Sequence, residues 1–268
     1  MNETLTRTLS GLVYIILLVG ATLISTESFL LLFGAFLVIC TAEFCDLVSL
    51  KKTTPIILAI GGFLLFAYFK TFNKTNDLLL TAATIFISIR LILFLFSDKR
   101  QHIDKQSKYV YLIGYVILPI IILTKIPYVE SIFKPEILIG IFIIIWTNDT
   151  FAYLVGKSIG KTKLYEKISP KKTLEGFFGG LVFAVIAGIL IAFYYTKQPL
   201  YVWISLALIT SIFGTLGDLI ESKFKRIAGV KDSGSIMPGH GGILDRLDSV
   251  IFVAPIIFLF YQILYYVS

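Results

Sequence analysis

The chain has 268 residues, of which 57% are hydrophobic and only 15% are charged. In a soluble domain of this size about a quarter of the residues are usually charged. The composition therefore excludes a soluble domain and indicates a protein that crosses a membrane several times. The net charge of +7 does not require a nucleic-acid partner, because membrane proteins concentrate Lys and Arg in their cytoplasmic loops. We therefore expect membrane lipids, and no nucleic acid, among its partners.

Nine hydrophobic segments have about the length of a membrane-spanning helix, which is roughly 17–25 residues. The first is not followed by a small-residue cleavage site, so we predict a retained helix rather than a signal peptide. The sequence thus predicts an all-α polytopic membrane protein, with N-terminal helices at 1–130 and a C-terminal region with long polar connections at 131–268. The predicted spans cover residues 9–25, 28–48, 54–70, 77–96, 109–125, 136–156, 174–196, 199–221 and 249–267.

Lys and Arg are distributed unequally between the connections on the two sides of the predicted bundle. Far more of them lie on the side of the N-terminus. Because positive residues are retained on the cytoplasmic side, the N-terminus is predicted to be cytoplasmic and the C-terminus external. The polar, glycine-containing connections at 157–173 and 222–248 then both face the cytoplasm.

Several ionisable residues lie inside the hydrophobic segments, where a charge is costly and usually functional. Asp149 is flanked by apolar residues, so we expect it to line a water-filled cavity that reaches into the membrane. Arg90 is close enough to the cytoplasmic end of its span for its side chain to reach the interface. Glu43 and Asp46 are one helical turn apart near a cytoplasmic end, and the sequence leaves open whether they are interfacial or support a site.

Two pairs of carboxylates mark the ends of the last two predicted helices. Asp218 and Glu221 are three residues apart and share one helix face, and Asp245 and Asp248 repeat this spacing. Together they could close on a divalent cation, and Mg²⁺ prefers oxygen ligands and bridges to phosphates. Helix capping is an alternative that suits Asp245 near a helix N-terminus. It does not suit Asp218 near a C-terminus, where the helix dipole disfavours an anion.

The connection between these carboxylates contains the glycine-rich segment KDSGSIMPGHGG at 231–242. Glycine lets the backbone approach a ligand closely and present N–H groups to phosphate. Basic side chains nearby can neutralise phosphate charge, so this connection predicts nucleotide chemistry at a membrane surface. The basic residues that we expect to contribute are Lys223, Lys225, Arg226, Lys231 and Arg246.

The other long connection contains SPKKT at 169–173, which places Lys171 and Lys172 beside hydroxyl groups. Two interpretations of this segment are open: it forms an anion-binding site, or it is a basic cluster that only sets the membrane topology. The segments GKS and GKT at 156–162 lack the earlier glycine of a phosphate-binding loop, so neither is predicted to be such a loop. Gly176 and Gly180 have the spacing of a close helix-packing face.

The charged stretch between the last two helices combines short motifs in a fixed order. They are SKFKR at 222–226, KDSG at 231–234 and PGHGGILDRLD at 238–248. This arrangement resembles the signature of the phosphatidate cytidylyltransferases, the CDP-diacylglycerol synthase family. The similarity extends to Asp218, to SPKKTLEG at 169–176 and to DTFAYLVG at 149–156. It covers about the C-terminal half of the chain, and the N-terminal helices match the family only in general character.

The resemblance implies an integral enzyme of the cell membrane that joins CTP to phosphatidic acid in phospholipid synthesis and releases pyrophosphate. It also implies a homodimer and dependence on one or two Mg²⁺ ions, with metal-site carboxylates at Asp218, Asp245 and Asp248. At the remaining polar positions of the signature it implies catalytic roles for Lys225, Arg226, Lys231, Asp232, His240 and Arg246. Substrate-binding roles are expected for Asp149, Ser169, Lys171, Lys172, Glu175, Ser222, Gly241 and Gly242.

The implied chemistry is a direct displacement, because the phosphate of phosphatidate is already an anionic nucleophile at neutral pH. Metal ions and cations would position the two anions and stabilise the released pyrophosphate. In this hypothesis the basic residues of the glycine-rich connection bind the triphosphate, and Lys171 and Lys172 hold the lipid phosphate. His240 donates a hydrogen bond rather than acting as an essential base, and Asp149 and Glu175 orient the basic groups or line the cavity.

Two other functions are compatible with the sequence. One is a related CTP-using membrane enzyme that acts on another lipid, such as a polyprenol kinase or a cytidylyltransferase for archaeal-type lipids. The other is an ion-coupled secondary transporter with buried carboxylates. Transporters often show repeated halves with broken helices, and no such repeat is evident in the sequence.

Overall fold

The computed structural model describes residues 3–69, 74–97, 103–129, 132–196 and 198–267, and these ranges are almost entirely helical. The prediction of an all-α polytopic membrane protein is confirmed. The elements in chain order are α1 (Glu3–Ile24), α2 (Thr26–Val48), α3 (Thr53–Phe63) with a π-helical continuation (Leu64–Tyr68), α4 (Lys74–Phe96), α5 (Lys105–Tyr111), a second π-helical segment (Leu112–Ile117), α6 (Leu118–Leu123), β1 (Tyr128–Val129), β2 (Ile132–Phe133), α7 (Pro135–Ile159), β3 (Lys163–Tyr165), β4 (Ser169–Thr173), α8 (Leu174–Tyr194), α9 (Leu200–Ala228) and α10 (Leu244–Val267).

Eight helical segments in the described ranges are long and apolar enough to cross a membrane. The third predicted span, 54–70, forms a shorter apolar helix at Thr53–Tyr68, and residue 70 lies outside the described residues. At 1.5 Å per residue this helix is about 24 Å long, which is less than the roughly 30 Å of the hydrocarbon core. The length criterion therefore gives eight spans rather than the nine predicted from the sequence.

Contacts between helix ends indicate that the short helix nevertheless connects the two faces of the bundle. The end of α4 contacts α9 near the 222–248 connection, where Lys223 donates to the carbonyl oxygen of Ser97 at 2.9 Å. At the start of α4, Asp77 forms an ion pair with Lys125 after α6, with an Nζ–Oδ1 distance of 2.5 Å. Helix α2 ends near the 222–248 connection and α4 begins at the far face, so α3 passes between them. Which face is cytoplasmic stays a prediction.

Glycines allow close contact among α7, α8 and α9. A Cβ at Gly176 would lie 2.6 Å from the carbonyl oxygen of Ala152, and one at Gly180 would lie 2.7 Å from that of Asn148. The prediction that Gly176 and Gly180 form a packing face is confirmed. On the other side of α8, a Cβ at Gly188 would lie 2.8 Å from the carbonyl oxygen of Trp203 in α9.

Both long polar connections contain regular structure beyond the predicted spans. The connection at 157–173 forms an antiparallel hairpin, in which Lys163 pairs with Thr173 and Tyr165 with Ser169. Within 222–248, α9 continues through the charged residues to Ala228 and α10 begins at Leu244, five residues earlier than predicted. Helix α9 ends where Gly229 adopts a φ of 73°, a left-handed conformation that glycine accepts without strain.

Candidate active site

Close packing of α9 against α10 brings Asp218 and Asp248 close together. A Cβ at Gly217 would lie 2.7 Å from the carbonyl oxygen of Asp248 and 2.7 Å from Cβ of Phe252. Asp218, the next residue of α9, therefore lies beside the first turns of α10. Asp248 interacts electrostatically with Asp218 and with Asp149 of α7, so three helices contribute carboxylates to one cluster.

We expect Gly217→Ala to destabilise the protein by about 1–3 kcal/mol, because the added methyl group meets backbone rather than a flexible side chain. The measurement is the thermal unfolding midpoint of the purified protein in detergent. The matched control is Gly20→Ala, since no atom lies within 4 Å of a Cβ at Gly20, and alanine stabilises a helix by roughly 0.5–1 kcal/mol relative to glycine. Equal midpoints for the two variants would contradict the packing argument.

Asp245 anchors the glycine-rich segment to the start of α10. Its Oδ1 accepts from Nζ of Lys225 at 2.7 Å. Its Oδ2 accepts from the backbone N–H of Ser233 at 2.8 Å, from the Ser233 hydroxyl at 2.9 Å and from the N–H of Gly242 at 2.7 Å. Gly241 has a φ of 91°, and a Cβ there would lie 2.5 Å from Asp245 Oδ2. Both carboxylate oxygens are thus occupied by protein donors.

The predicted ligand set of Asp218, Asp245 and Asp248 is therefore not assembled as one group. Among the described residues, no three His, Cys, Asp or Glu side chains are arranged to hold a metal ion. Asp248 accepts from the N–H of Ser249 at 2.7 Å, and Glu221 Oε1 is buried without a hydrogen-bond partner in the described part of the chain. Asp245 is thus the member of the predicted set whose oxygens already accept from four protein donors.

Glu43 of α2 holds the other side of the same segment. Its carboxylate is buried and accepts from the N–H of Ile243 at 3.1 Å and from the N–H of Leu244 at 2.8 Å. A carboxylate at a helix N-terminus satisfies free N–H groups and interacts favourably with the helix dipole. Gly234 and Gly242 pack directly on this carboxylate, because a Cβ at either would lie within 2.5 Å of Glu43 Oε1. Of the two acids whose place the sequence left open, Glu43 therefore supports the glycine-rich segment, whereas Asp46 is exposed and pairs with Lys52.

We expect Glu43→Gln to lower stability by about 1–3 kcal/mol, because the amide NH₂ group would face a backbone N–H that the carboxylate now accepts. The thermal unfolding midpoint measures this loss. Asp46→Asn, one turn further along α2, is the control. Asp46 is 60% exposed and pairs with Lys52 at 2.7 Å, and surface pairs of this kind are worth about 0–1 kcal/mol. A midpoint for Glu43→Gln that equals the one for Asp46→Asn would contradict the anchoring role.

Lys172 of β4 lies within the carboxylate cluster. Its Nζ is 2.5 Å from Asp218 Oδ2, and the two side chains are 28% and 34% exposed. Burial works against the ammonium charge, but the carboxylates of Asp218, Asp149 and Asp248 outweigh it and raise the pKa of Lys172 above its ordinary value. Lys172 is therefore a permanent cation among the acids, whereas Lys171 beside it is exposed.

Three of the predicted phosphate-binding cations have other partners. Lys225 bridges Glu221 and Asp245. Lys223 is buried and donates to backbone carbonyls at the end of α4, including that of Leu95 at 3.2 Å. Arg226 donates to the carbonyl of Ile168 at 3.4 Å and so contacts the hairpin. These residues connect α9 to its neighbours, which sequence spacing alone does not reveal.

An outer pocket of about 510 Å³ lies over the glycine-rich segment. Its charged lining residues include Lys231, Asp232 and Arg246, as predicted, together with Arg7 of α1. No local pattern in the sequence pointed to Arg7, because its place depends on how α1 packs over the segment. The pocket thus combines three cations with a glycine-rich backbone.

An inner pocket of about 230 Å³ lies between α1, α7 and α10. Asp149 and Asp248 line it beside aromatic residues such as Trp146, which agrees with the expectation that a cavity reaches Asp149. His240 and Arg246 line both pockets. The two pockets therefore adjoin at these residues.

The remaining predicted residues fall into two groups. Ser222 donates to Asp218 Oδ1 at 3.2 Å and belongs to the carboxylate cluster. Glu175 accepts from the N–H groups of Lys161 and Thr162, each at 3.1 Å, and so holds the hairpin. Ser169 and Lys171 lie on the hairpin and do not line either of the two pockets.

The helices of membrane length place acids, a partly buried lysine and a basic glycine-rich segment at one face. The chain is therefore a polytopic membrane protein with a charged site at its surface. The chain belongs to the Cytidylyltransferase family, whose sequence profile matches residues 5–264. This match confirms the family resemblance predicted from the motifs.

The chain is also similar to curated proteins named phosphatidate cytidylyltransferase. The identity is 57% for the protein from Staphylococcus aureus (strain COL), 53% for that from Staphylococcus haemolyticus (strain JCSC1435) and 49% for that from Staphylococcus epidermidis (strain ATCC 12228 / FDA PCI 1200). Each alignment spans 118 residues, which is 43% of this chain and 45% of the relative. The matched part is thus less than half the length of these relatives.

Proposed function

We propose that this protein is a phosphatidate cytidylyltransferase, which forms CDP-diacylglycerol and pyrophosphate from CTP and phosphatidic acid. The observation that carries the proposal is the junction of the two pockets at His240 and Arg246. A water-soluble triphosphate and the headgroup of a membrane lipid can meet there. Membership of the Cytidylyltransferase family and the names of the relatives support the same reaction.

The outer pocket suits the nucleotide. Its volume of about 510 Å³ lies in the range of roughly 300–1,000 Å³ that is usual for small-molecule sites. Arg7, Lys231 and Arg246 line it and would neutralise the triphosphate, while the glycine-rich backbone allows close approach to phosphate. In this proposal the triphosphate lies across the segment at 231–242.

The inner pocket suits the lipid headgroup. It is smaller, at about 230 Å³, and Tyr14, Ile15 and Trp146 give it an apolar side. Because it lies between helices of membrane length, a lipid phosphate could reach it while the acyl chains stay in the bilayer. Arg246 would hold this phosphate from the side of the outer pocket.

The reaction follows from the meeting of these two phosphates. An anionic oxygen of the lipid phosphate attacks the α-phosphorus of CTP and forms a new P–O bond. The bond from the α-phosphorus to the oxygen that bridges to the β-phosphorus breaks, and pyrophosphate leaves with the electron pair. Arg7, Lys231 and Arg246 would bind and orient the two anions and stabilise the leaving charge.

Mg²⁺ is proposed from the family resemblance, since no three of the described carboxylates form a metal-binding group. Asp218 and Asp248 would hold an ion only if Ser222 and Lys172, the side chains that now contact the two oxygens of Asp218, moved aside. Asp245 would not be a ligand, because four protein donors already occupy its oxygens. When bound, the ion would neutralise phosphate charge and orient the triphosphate.

The proposal also covers the membrane orientation and the oligomeric state of the enzyme. Lys and Arg are concentrated at the face that carries the pockets, which supports a cytoplasmic active site in the cell membrane. The family resemblance of the signature motifs supports a homodimer. Both are tested separately from the reaction, by reporter fusions at each terminus and by cross-linking in native membranes.

The decisive experiment follows the label of radioactive CTP with purified protein and phosphatidate. We expect label from the α-phosphate in the lipid product and label from the γ-phosphate in pyrophosphate, both only when Mg²⁺ is present. In a parallel reaction with polyprenol as the lipid, a polyprenol kinase would place the γ-label in the lipid instead. An ion-coupled transporter would label no lipid with either form of CTP, and either result would contradict the proposal.

A further inference from the structure

The first helix contacts the glycine-rich segment through Ser10. The Ser10 hydroxyl oxygen lies 2.8 Å from Nδ1 of His240, 2.9 Å from the carbonyl oxygen of Pro238 and 3.1 Å from that of Arg7. His240 in turn lines both pockets. A residue of α1 thus sets the environment of a histidine that lies where the two substrates would meet.

Counting protons at Ser10 determines the tautomer of His240. A hydroxyl group has one hydrogen to donate, whereas carbonyl oxygens only accept. If Ser10 donated to Nδ1, its oxygen would face two carbonyl oxygens at 2.9 and 3.1 Å with no hydrogen between them. If Nδ1–H donates to Ser10, the hydroxyl hydrogen is free for Pro238, and both short contacts become hydrogen bonds. The second arrangement places the proton on Nδ1.

Nε2 of His240 then carries a lone pair. In the part of the chain that the structure describes, the imidazole ring makes its hydrogen bond through Nδ1, and Nε2 has no protein partner. We propose that Ser10 is a positioning residue that holds His240 in the Nδ1–H tautomer, so that Nε2 accepts a hydrogen bond from a hydroxyl group of the bound substrate. The substrate half of this proposal rests on the proposed function.

Glycine at two positions permits this contact. A Cβ at Gly11 would lie 3.3 Å from Cε1 and 3.7 Å from Nε2 of His240. Gly239 has a φ of 76°, and a Cβ there would lie 2.7 Å from Cγ of Arg7. The absence of side chains at these positions lets helix α1 approach the segment closely. Glycines in both helix α1 and the glycine-rich segment therefore permit this close contact.

The surrounding charges keep His240 neutral, which is the state in which its tautomer matters. Burial lowers the pKa of His240 below its ordinary value, and the positive charges of Arg246 and Arg7 lower it further. The acids that face the inner pocket from α7 and α10 are Asp149, Asp245 and Asp248.

The test reads the tautomer directly and does not depend on turnover. The sequence contains two histidines, so His102→Gln leaves His240 as the single source of signal after ¹⁵N-histidine labelling. In the full-length protein we expect a protonated Nδ1 and an unprotonated Nε2. Ser10→Ala should shift the ring towards the Nε2–H form that free neutral histidine prefers, and Ser10→Thr should retain the Nδ1–H form. The proposal would be overturned if His240 carried its proton on Nε2 in the protein that retains Ser10. It would also be overturned if Ser10→Ala left the spectrum unchanged.

Activity tests the substrate half. We expect Ser10→Ala to lower kcat/KM by about tenfold, which corresponds to the loss of one well-oriented hydrogen bond, and Ser10→Thr to restore it. Gly11→Ala should lower it as well, because it displaces the ring. The control is Ser158→Ala, since the exposed Ser158 donates to Leu154 of its own helix at 2.8 Å. Unchanged activity in Ser10→Ala would overturn the role towards substrate, and absence of turnover in every variant would refute the proposed function while leaving the tautomer test intact.

Discussion

Replacing Asp218 with Asn should reduce transfer of CMP to phosphatidate by about 10²- to 10³-fold, the usual loss when one charged group at a reaction centre is removed. Asp218 is the carboxylate that pairs with Lys172 at 2.5 Å and accepts from Ser222 at 3.2 Å. It also lies beside Asp248, where a cation would bind. The substitution keeps the shape of the side chain but removes its charge, so binding of the cation and the position of Lys172 are both lost.

The rate should be measured at saturating CTP over a range of Mg²⁺ concentrations. The control is Asp46→Asn, because this exposed carboxylate at the end of α2 pairs only with Lys52 among the described residues. We expect the control to retain normal turnover. If Asp218→Asn is as active as Asp46→Asn at every Mg²⁺ concentration, the carboxylate cluster is not the centre of the reaction.

Replacing Lys172 with Met should lower turnover by about 10²-fold and leave most of the stability intact. Lys172 is the cation that interacts with Asp149, Asp218 and Asp248, and without it three acids would repel an incoming phosphate. Since Lys172 and Asp218 are each about a third exposed, solvent screens their pairing, and we expect a stability loss of about 1 kcal/mol. Turnover and the unfolding midpoint together separate the two effects.

The neighbouring residue provides the control for Lys172. Lys171 is exposed on the same strand and does not line either of the pockets described above, so Lys171→Met should lose far less activity. Equal losses for the two variants would mean that the hairpin attracts phosphate only through its total charge.

The pH dependence gives a second check on Lys172. Because its pKa in the folded protein is raised above 10.5, the pair with Asp218 contributes fully to stability below that pH. Its contribution is lost only as the pH rises through the raised pKa. The unchanged protein should therefore still be more stable than Lys172→Met at pH 9, and complete loss of this difference below pH 9 would contradict the pairing.

The sequence allowed the fold to be predicted because its signals are local. Hydrophobic runs show where helices cross a membrane, and the spacing of Gly176 and Gly180 showed a packing face. The third predicted span forms a helix at nearly the same residues, Thr53–Tyr68, but its apolar composition did not reveal that this helix is short for the hydrocarbon core. The extension of α9 to Ala228 was missed because its charged residues find buried partners in other helices, and no local pattern shows such partners.

The site was predicted in its composition but not in its connections. Asp218, Asp248 and the glycine-rich segment were identified from spacing and from the resemblance to the family. The anchoring of the segment by Glu43 depends on contacts between residues about 200 positions apart. The contribution of Arg7 and Ser10 depends on how α1 packs over the segment. Such contacts arise from tertiary structure, which spacing in one sequence does not encode.

The stereochemistry at the α-phosphorus tests the central claim most directly. CTP with one sulfur of defined configuration on the α-phosphorus would be converted with phosphatidate by the purified protein, and the configuration of the product would be determined. A direct attack by the lipid phosphate predicts inversion, because a single displacement exchanges the attacking and leaving oxygens on opposite sides of phosphorus. Retention would reveal a covalent nucleotidyl-enzyme and contradict the account, as would the absence of any transfer to phosphatidate.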